Sequence, residues 1–468
     1  MDRPTRCIAE YAAGLDYGSL APSARHAASR HFVDALACAL GTMGSRPARI
    51  ARAIAATANG SYGASVLGLS KKTVPEYAAF ANAAMVRFLD FNDAGHGGHP
   101  SDMIPAILAL AEPRRSSGRE VIRAMHAAYE TYAVLRRGGL YGDLLRRRHV
   151  DQLQAVVGCA VGAGVILGLD APRIAHAISL ALTPSVPLRV TRTGTLSDWK
   201  GCATAHSAMT GVFAARLAER GLTGPAQPFE GIAGLCEMLA TGPLDLATIG
   251  QPRDGRSAIE ATCLKVYPVE YSAQGPVQAV LSLRQQFDVA DVEAMVVSLH
   301  WSGWHEIGGG AGDGAAKWNP TTRPTADHSL AYALAVSLLD GDLTVDSFSE
   351  ARRNDPRLRS LIHRVRVEED PKLTRTHAGE LPRWPSRVEI TLRGGRCLIC
   401  ETPVPKGHPL RPLSDAEIET KFLRLAGRVL SARRAKRLLA ILWSLEDLDD
   451  IGTLMAELRR LQPGDVLG

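Results

Sequence analysis

Cysteine is sparse in this sequence and is not grouped: eight cysteines are scattered, mostly singly, along 468 residues. An iron–sulfur cluster needs several thiolates that converge, so this scatter argues against one. Cys397 and Cys400 form a C-x-x-C pair, but no second pair accompanies them and we interpret the pair as structural. The start of the chain shows no secretory signal, which predicts reduced thiols and a cytoplasmic location.

Membrane and nucleic-acid signals are also missing. No apolar run approaches the ~20 residues of a membrane span, and no basic cluster is interleaved with aromatic residues as a nucleic-acid groove requires. The net charge of +6 is modest for this length, so we expect small anions as partners, and neither nucleic acid nor membrane. The basic run Arg146, Arg147 and Arg148 is interpreted as a solvated loop or as part of an acidic substrate's approach.

The chain is long and apolar enough, with 46% hydrophobic residues, to bury a sizeable core and to divide into two or more units. Apolar residues recur at helical spacing within residues 6–58. Alanine, glycine and small apolar residues dominate 119–137 and 154–169, which is typical of closely packed helices. Glu130 within this region is expected to pair inside the bundle. These patterns predict a mainly α fold with a large all-helical domain over residues 1–262.

The pattern changes from about residue 263 to residue 403. Apolar and polar residues alternate, as in strands, in 292–300, in 387–393 and in the run 388–400. Helical patterns occur in 327–339 and 345–354. We therefore predict a smaller α+β domain over 263–403. Residues 414–461 are again helical.

A polar segment between residues 87 and 102 separates two alanine-rich runs, 76–88 and 103–111. Its polar and flexible residues are three carboxylates, two imidazoles and three glycines: Asp90, Asp93, Asp102, His96, His99, Gly95, Gly97 and Gly98. Either histidine has an ordinary pKa suited to moving a proton near neutrality, and Asp90 or Asp93 would orient such a ring. We interpret this loop as the floor of an active site.

The same loop has two other interpretations. It is also compatible with a capped structural loop, in which Ser101 and Asp102 cap the helix that follows. A metal site is a third possibility, because histidine and aspartate are ligand types, but no pair at ligand spacing supports it.

A lysine, Lys200, stands at the mouth of an alanine-rich helix that we predict over 203–220. A part-buried lysine has a lowered pKa, and it holds a carboxylate or transfers a proton. An exposed lysine at a helix start is the alternative.

Four stretches together resemble the MmgE/PrpD family, which includes 2-methylcitrate dehydratase, cis-aconitate decarboxylase and iminodisuccinate epimerase. They are Leu89-Asp90-Phe91-Asn92-Asp93 with His99-Pro100-Ser101-Asp102; Gly194 followed by Trp199-Lys200; Lys265, Tyr267, Pro268 and Gln274; and the segment 317–332. The resemblance implies that the α+β unit is a lid domain and that residues 404–468 return to the helical domain. It also implies a homodimer built through the helical domain.

The resemblance further implies the site residues. Asp90, His99, Lys200 and Lys265 would be catalytic, and Asp93, His96, Arg192, Glu270 and Trp318 would contact substrate. Glu270 stands where some family members have histidine, and Ala94 where many have threonine. Asp327 is an N-cap candidate, and we interpret His328 as a residue at the start of a helix.

The implied function is that of a cofactor-independent, metal-independent lyase acting on a small di- or tricarboxylic acid, most closely a 2-methylcitrate dehydratase-type hydro-lyase. A decarboxylase or epimerase acting on a related dicarboxylate is the first alternative. A catalytically idle homologue that binds a carboxylate is the second. Ala94 and Glu270 favour the idle alternative, whereas His99, Lys200 and Lys265 together argue against it.

Overall fold

The computed structural model describes residues 1–58, 62–140, 150–379 and 381–461. The basic run at 146–148 therefore lies outside the described residues. The N-terminal part of the chain is helical, and its helices are α1 (Arg3–Gly14), α2 (Pro22–Thr42), α3 (Arg46–Ala55), α4 (Pro75–Arg87), α5 (Ile104–Arg114), α6 (Gly118–Arg137), α7 (Gln154–Ile166), α8 (Ala171–Leu182), α9 (Ala203–Glu219) and the short α10 (Leu235–Met238).

Local sequence explains where several of these helices begin. Asp2 caps α1 by accepting from Thr5 N, and Ser117 and Glu120 form a reciprocal capping box at the start of α6. Gly158, Gly162 and Gly211 lie where helices α5, α6, α7 and α9 meet, and a Cβ on any of them would press on a neighbouring helix. Small residues thus allow the close packing that the sequence predicts.

The second part of the chain mixes helices and strands. Its elements are α11 (Gln274–Leu283), β1 (Val292–Leu299), α12 (Trp301–Ile307), α13 (Gly314–Trp318), α14 (Arg323–Ala326), α15 (Leu330–Asp340), α16 (Glu350–Arg353), α17 (Pro356–Ile362), β2 (Val365–Glu369), α18 (Pro371–His377), β3 (Ser386–Leu392) and β4 (Cys397–Thr402). The chain ends with α19 (Asp415–Ala426), α20 (Ala432–Trp443) and α21 (Gly452–Arg459).

The four strands form one mixed sheet in the order β2-β1-β3-β4. β1 is parallel to β2, with Val297 opposite Val367, and antiparallel to β3, with Val297 opposite Val388. Alternate residues of β3 are buried, as expected for a sheet with one covered face. The mainly α fold with a small mixed sheet is thus confirmed.

The described residues form two large hydrophobic cores and a small cluster of Ala94, Cys263 and Tyr271. The larger one joins residues of the N-terminal helices to residues of α19, α20 and α21, and the second forms around the sheet, α11 and α15. The domain boundaries at 263 and 404 stay predictions. No described helix is long and apolar enough to cross a bilayer.

Two predicted elements are wrong in detail. The run 388–400 is a hairpin and not one strand, because Gly394 and Gly395 have φ of +90° and +82° and turn the chain between β3 and β4. Residues 345–354 form a 3₁₀ turn, Val345–Phe348, and then the separate short helix α16, which Ser349 caps. Predicted helices 76–88, 119–137 and 203–220 agree with α4, α6 and α9 within one residue.

Candidate active site

The loop after α4 carries an unusual backbone that its sequence permits. Asp90 and His96 both have φ of +51°, a left-handed conformation that aspartate and histidine tolerate better than most residues. Gly95 and Gly98 pair with each other through both backbone N–H groups at 2.9 Å. Ala94 pairs with Cys263 in the same way, which fixes the loop against the segment that carries Lys265.

Asp90 is the most highly connected charge of this loop. It is fully buried, and its carboxylate is ion-paired with Arg87 and with Lys265, whose Nζ is 2.9 Å from Oδ2. Lys200 Nζ lies 3.4 Å from Oδ1. Burial alone would raise the pKa of Asp90, but these three cations outweigh it and hold the pKa well below its ordinary value. Asp90 is therefore a permanent carboxylate.

Lys200 connects the two parts of the chain. Its Nζ donates to Asp327 Oδ1 at 2.9 Å, and Asp327 immediately precedes His328, whose Nδ1 is 2.8 Å from the same oxygen. Burial lowers the pKa of Lys200 to about 8, although Asp327 and Asp90 act in the opposite direction. Burial also lowers the pKa of Lys265. Both ammonium groups thus titrate more easily than surface lysines.

His99 is anchored from three directions. Its backbone N–H donates to Tyr132 Oη and Gln152 Oε1 at 3.2 and 3.1 Å, and its Nδ1 lies 2.6 Å from the carbonyl oxygen of Asp93. Because a carbonyl only accepts, Nδ1 carries the hydrogen and neutral His99 presents an unprotonated Nε2. Nε2 is 3.8 Å from Asp90 Oδ1. Burial, followed by the charge of Arg87, lowers the pKa of His99 well below 6.5.

A cavity of about 600 Å³ opens beside this cluster. Its lining includes four of the predicted site residues, namely His96, His99, Arg192 and Glu270. Five arginines and three carboxylates lie along its wall: Arg136, Arg137, Arg189, Arg192, Arg253, Asp151, Glu270 and Glu306. The excess of guanidinium groups favours an anionic ligand.

Arg192 lines this cavity and has one donor without a partner among the described residues. Its Nε donates to Asp151 Oδ2 at 3.0 Å, and Asp151 Oδ1 accepts from Arg189 at 3.1 Å. The Nη2 atom of Arg192 is buried without a hydrogen-bond partner among the described residues. An unmet buried donor on a cation is costly, which makes Arg192 a candidate for binding an anion.

The other lining residues predicted from sequence have mixed surroundings. His96 Nε2 lies 3.0 Å from the carbonyl oxygen of Ala258, and burial lowers its pKa to about 4. Glu270 accepts from Ser272 N at 2.7 Å, and burial raises its pKa. Glu270 can therefore hold a proton more readily than an exposed glutamate.

Asp90, Lys200 and Lys265 do not line the cavity. Each is buried and engaged in ion pairs behind His99. The structure therefore brings the four predicted catalytic residues together, but it places only His99 of the four on the cavity surface.

Asp93 and Trp318 are not among the residues that line the cavity. The Asp93 carboxylate accepts from Ser101 and from Tyr129 Oη at 2.8 Å, and it lies 3.1 Å from His31 Nδ1. The Trp318 indole donates to Val365 O at 3.0 Å and packs against the second core. Asp93 thus shapes the loop and Trp318 supports the sheet, and their contact with substrate stays a prediction.

The predicted caps are also wrong. No side chain caps α5; the Ser101 hydroxyl donates to Asp93, and Asp102 accepts from Asn92 Nδ2 at 2.8 Å. Asp327 does not cap α15, because Ser329 takes that position. Its carboxylate is used by Lys200 instead. The prediction that Glu130 pairs within the bundle is confirmed by its ion pair with Arg137 at 2.5 Å.

Sequence reasoning missed two further contributors. His328 lines the cavity, and its place beside Asp327 in the long motif 317–332 was the available signal. Lys421 of α19 donates to the carbonyls of Phe91 and Lys265 at 2.7 and 3.1 Å and pairs with Asp34 at 2.6 Å. The return segment thereby fixes the loop and the segment that carries Lys265, which no local pattern indicates.

Comparisons with known proteins agree with this architecture. Residues 6–246 match the MmgE/PrpD N-terminal domain and residues 267–447 the MmgE/PrpD C-terminal domain. A cis-aconitate decarboxylase of Homo sapiens is 28% identical over 412 residues, 84% of this chain and 81% of that protein. A 2-methylcitrate dehydratase of Cupriavidus necator is 31% identical over 382 residues, 75% of this chain and 74% of that protein.

A third relative, a 2-methylcitrate dehydratase-like protein of Aspergillus oryzae, is 28% identical over 476 residues, 94% of this chain and 91% of that protein. The decarboxylase and the dehydratase are both lyases by name. The domain matches together cover most of the chain. The chain belongs to the MmgE/PrpD family.

Proposed function

We propose that the protein is a cofactor-independent lyase for a small di- or tricarboxylic acid, and that it removes water as 2-methylcitrate dehydratase does. The lyase names of the relatives support the class of reaction. The excess of arginine along the cavity wall supports a carboxylate substrate.

The buried Nη2 of Arg192 is the observation that carries this proposal. Asp151 holds the guanidinium in place and leaves Nη2 without a partner among the described residues. A substrate carboxylate bound there would replace the missing hydrogen bond and meet a full positive charge. Recognition by Arg192 would fix one end of the acid and place the rest of it beside His99.

His99 is proposed as a proton-transfer residue that Asp90 assists. In the neutral ring Nε2 accepts a proton, and the permanent carboxylate of Asp90 at 3.8 Å stabilises the imidazolium that results. Lys200 and Lys265 supply positive charge behind this wall, where it favours the enolate that forms when a proton leaves the carbon beside a carboxylate. These two lysines act through the local field and through Asp90, without lining the cavity.

Proton NMR of chelator-treated protein in deuterated water tests this function. The panel is 2-methylcitrate, citrate, cis-aconitate and iminodisuccinate, each with wild type, Lys200→Ala and His99→Ala. Loss of water from a hydroxy acid, abolished in both variants, is the expected result. No change in any acid would contradict lyase function, and thermal stabilisation by the acids without turnover would identify an idle carboxylate-binding homologue instead.

Arg192 can be tested in the same assay. Arg192→Ala should raise KM about 10²-fold or more, because a charged hydrogen bond to the substrate is lost. Arg366→Ala is the matched control, since Arg366 is exposed and pairs with Glu368 on the surface. Equal KM values for the two variants would contradict the proposed role of Arg192.

Decarboxylation is the second candidate function. The human relative named cis-aconitate decarboxylase is similar over 84% of this chain, and Ala94, which lines the cavity, lacks the hydroxyl that a threonine would place there. Release of carbon dioxide from cis-aconitate in the panel would select this alternative. Inversion with deuterium uptake at iminodisuccinate would select an epimerase.

We propose that the unit at 263–403 closes on the helical unit as a lid. Arg189, which precedes Arg192, is ion-paired with Glu306 of α12, and Gly194 N donates to Asp313 Oδ2 at 3.1 Å. These contacts join the two units at the cavity, where closure would exclude water. Small-angle scattering with and without a turned-over acid should show a smaller radius of gyration with ligand; no change would contradict closure.

Self-association through the helical unit is likewise a proposal. Trp199, Ile54 and Phe213 are about half exposed, and Arg46 of α3 pairs with Asp198 beside Trp199, which brings α3 near this surface. Burial of such apolar side chains stabilises a dimer. Light scattering should give twice the chain mass of 50.0 kDa, and a monomer at all concentrations would contradict it.

A further inference from the structure

His328 is one of four histidines that line the cavity among the described residues, together with His96, His99 and His377. It comes from the second part of the chain, whereas His99 comes from the loop after α4. Its side chain is almost fully buried and lines the cavity. A ligand in the cavity therefore has imidazoles from both units within its walls.

The surroundings of His328 fix which nitrogen faces outward. Nδ1 is 2.8 Å from Asp327 Oδ1, so Nδ1–H donates to the carboxylate and the unprotonated Nε2 remains for a ligand. Asp327 is in turn held by Lys200 Nζ at 2.9 Å on the same oxygen. A carboxylate behind an imidazole sets its tautomer and stabilises the imidazolium that forms when Nε2 accepts a proton.

His328 is also in the correct charge state to act as a base. Burial, followed by the charge of Lys200, lowers its pKa well below 6.5, so the ring is neutral at pH 7. His99 differs in its support, because a backbone carbonyl holds its Nδ1 and the Asp90 carboxylate lies on its Nε2 side. Burial lowers the pKa of His99 as well, but Asp90 on its Nε2 side acts in the opposite direction and favours the protonated ring. Asp327 instead accepts from Nδ1 of His328 and leaves its Nε2 unprotonated.

We infer that His328 is the general base of this cavity, that Asp327 positions it, and that His99 is the acid that assists the departing hydroxyl. This inference rests on the proposed dehydratase function. A bound di- or tricarboxylate adds negative charge beside His99 and, with Asp90, favours its imidazolium form in the complex.

Protons and electrons balance in the dehydration step. His328 Nε2 takes the proton from the carbon beside a substrate carboxylate, and the C–H electron pair moves into that carboxylate as an enolate. The pair then forms the carbon–carbon double bond as the C–O bond breaks. The leaving hydroxide takes the proton of the His99 imidazolium and departs as water. His328 then releases its proton to solvent and His99 regains one, so no oxidant or reductant is needed.

Deuterium exchange separates the two histidines. For the acid that wild type dehydrates, proton NMR in deuterated water follows exchange at the carbon and loss of water in one sample. His328→Gln should lose both, with kcat lower by roughly 10²–10⁴-fold. His99→Gln should lose dehydration but keep exchange at the carbon. His363→Gln is the matched control, because His363 is exposed at the end of α17, and it should behave as wild type.

A second variant protects the test from a folding defect. His328→Ala leaves space on the cavity wall, and added imidazole should restore part of the exchange, which a structural role of the ring would not allow. Exchange at the wild-type rate in His328→Gln would overturn this inference and leave the proposed lyase function standing. Loss of exchange in His99→Gln together with retention in His328→Gln would do the same. If wild type neither exchanges nor dehydrates any acid, the proposed function fails as well.

Discussion

Lys265 contacts Asp90 twice: its Nζ donates to the Oδ2 carboxylate oxygen at 2.9 Å and to the backbone carbonyl oxygen at 2.8 Å. Both residues are fully buried. One ammonium group thus neutralises the side chain and also holds the backbone of a residue at φ +51°. The left-handed conformation and the charge of Asp90 therefore depend on the same partner, which comes from a distant part of the chain.

Asp90→Asn should destabilise the fold and abolish activity. Asparagine tolerates the left-handed backbone, so the change removes mainly the charge and leaves Arg87, Lys200 and Lys265 without their common partner. Breaking a buried ion pair in this way costs about 3–5 kcal/mol. Urea denaturation measures the free energy of unfolding.

Asp346→Asn is the matched control for that experiment. Asp346 also pairs with an arginine, Arg428, but its side chain is 64% exposed, and exposed pairs contribute about 0–1 kcal/mol. An equal loss of unfolding free energy in the two variants would show that the buried ion pairs of Asp90 stabilise the fold no more than an exposed pair does.

Sequence reasoning predicted residues that the structure brings together, but not how deeply each side chain is buried. The loop at 87–102 was recognisable because carboxylates and imidazoles interrupt apolar helices, and Lys200 because it precedes a small-residue helix. Which of these side chains face the cavity depends on distant partners. The Asp93 carboxylate is buried because it contacts His31 and Tyr129 in the helical core. The Trp318 indole donates to a backbone carbonyl of β2. No local pattern encodes those contacts.

Helix and strand positions were easier to predict than the junctions between them. Periodicity predicted α4, α6 and α9 closely, since packing reinforces it over many residues. The turn between β3 and β4 was missed although Gly394 and Gly395 mark it. The capping residues were misassigned because Asp102 and Asp327 are used by Asn92 and Lys200, so tertiary contacts outweighed a local preference.

Asp102 should make stability depend on pH. Burial raises its pKa to about 7, despite the opposing charge of Arg87, whereas the unfolded value is about 4. The folded state keeps its proton while the unfolded state loses it, so stability falls as pH rises from about 4 to about 7. Asp102→Asn has no such proton. The free energy of unfolding of Asp102→Asn minus that of wild type should therefore rise by about 2 kcal/mol between pH 5 and pH 7. Urea denaturation at both pH values measures this, and a constant difference would contradict the raised pKa.

Lys200 should set an alkaline limit to activity. Its pKa of about 8 means that the ammonium form, which holds Asp327 and supports Asp90, is lost as pH rises through that value. Profiles of kcat/KM against pH should therefore fall above about 8 in wild type. Lys200→Arg keeps its charge at every accessible pH, so any activity it retains should persist to higher pH. The same alkaline limb in both proteins would assign the limb to another group.

Gly98→Ala should reduce activity far more than Gly95→Ala, although the two glycines face each other across one turn of the loop. An added Cβ at Gly98 would overlap the Tyr132 hydroxyl and the Gln152 amide oxygen, the two atoms that accept from His99 N. At Gly95 the nearest atoms belong to Thr262, at an ordinary 3.4 Å. Displacing His99 by about 1 Å should lower kcat about 10²-fold, and overpacking should cost about 1–3 kcal/mol of stability. The NMR assay and urea denaturation measure both effects. If the two variants lose activity equally, the anchoring of His99 through its backbone is not what positions the ring.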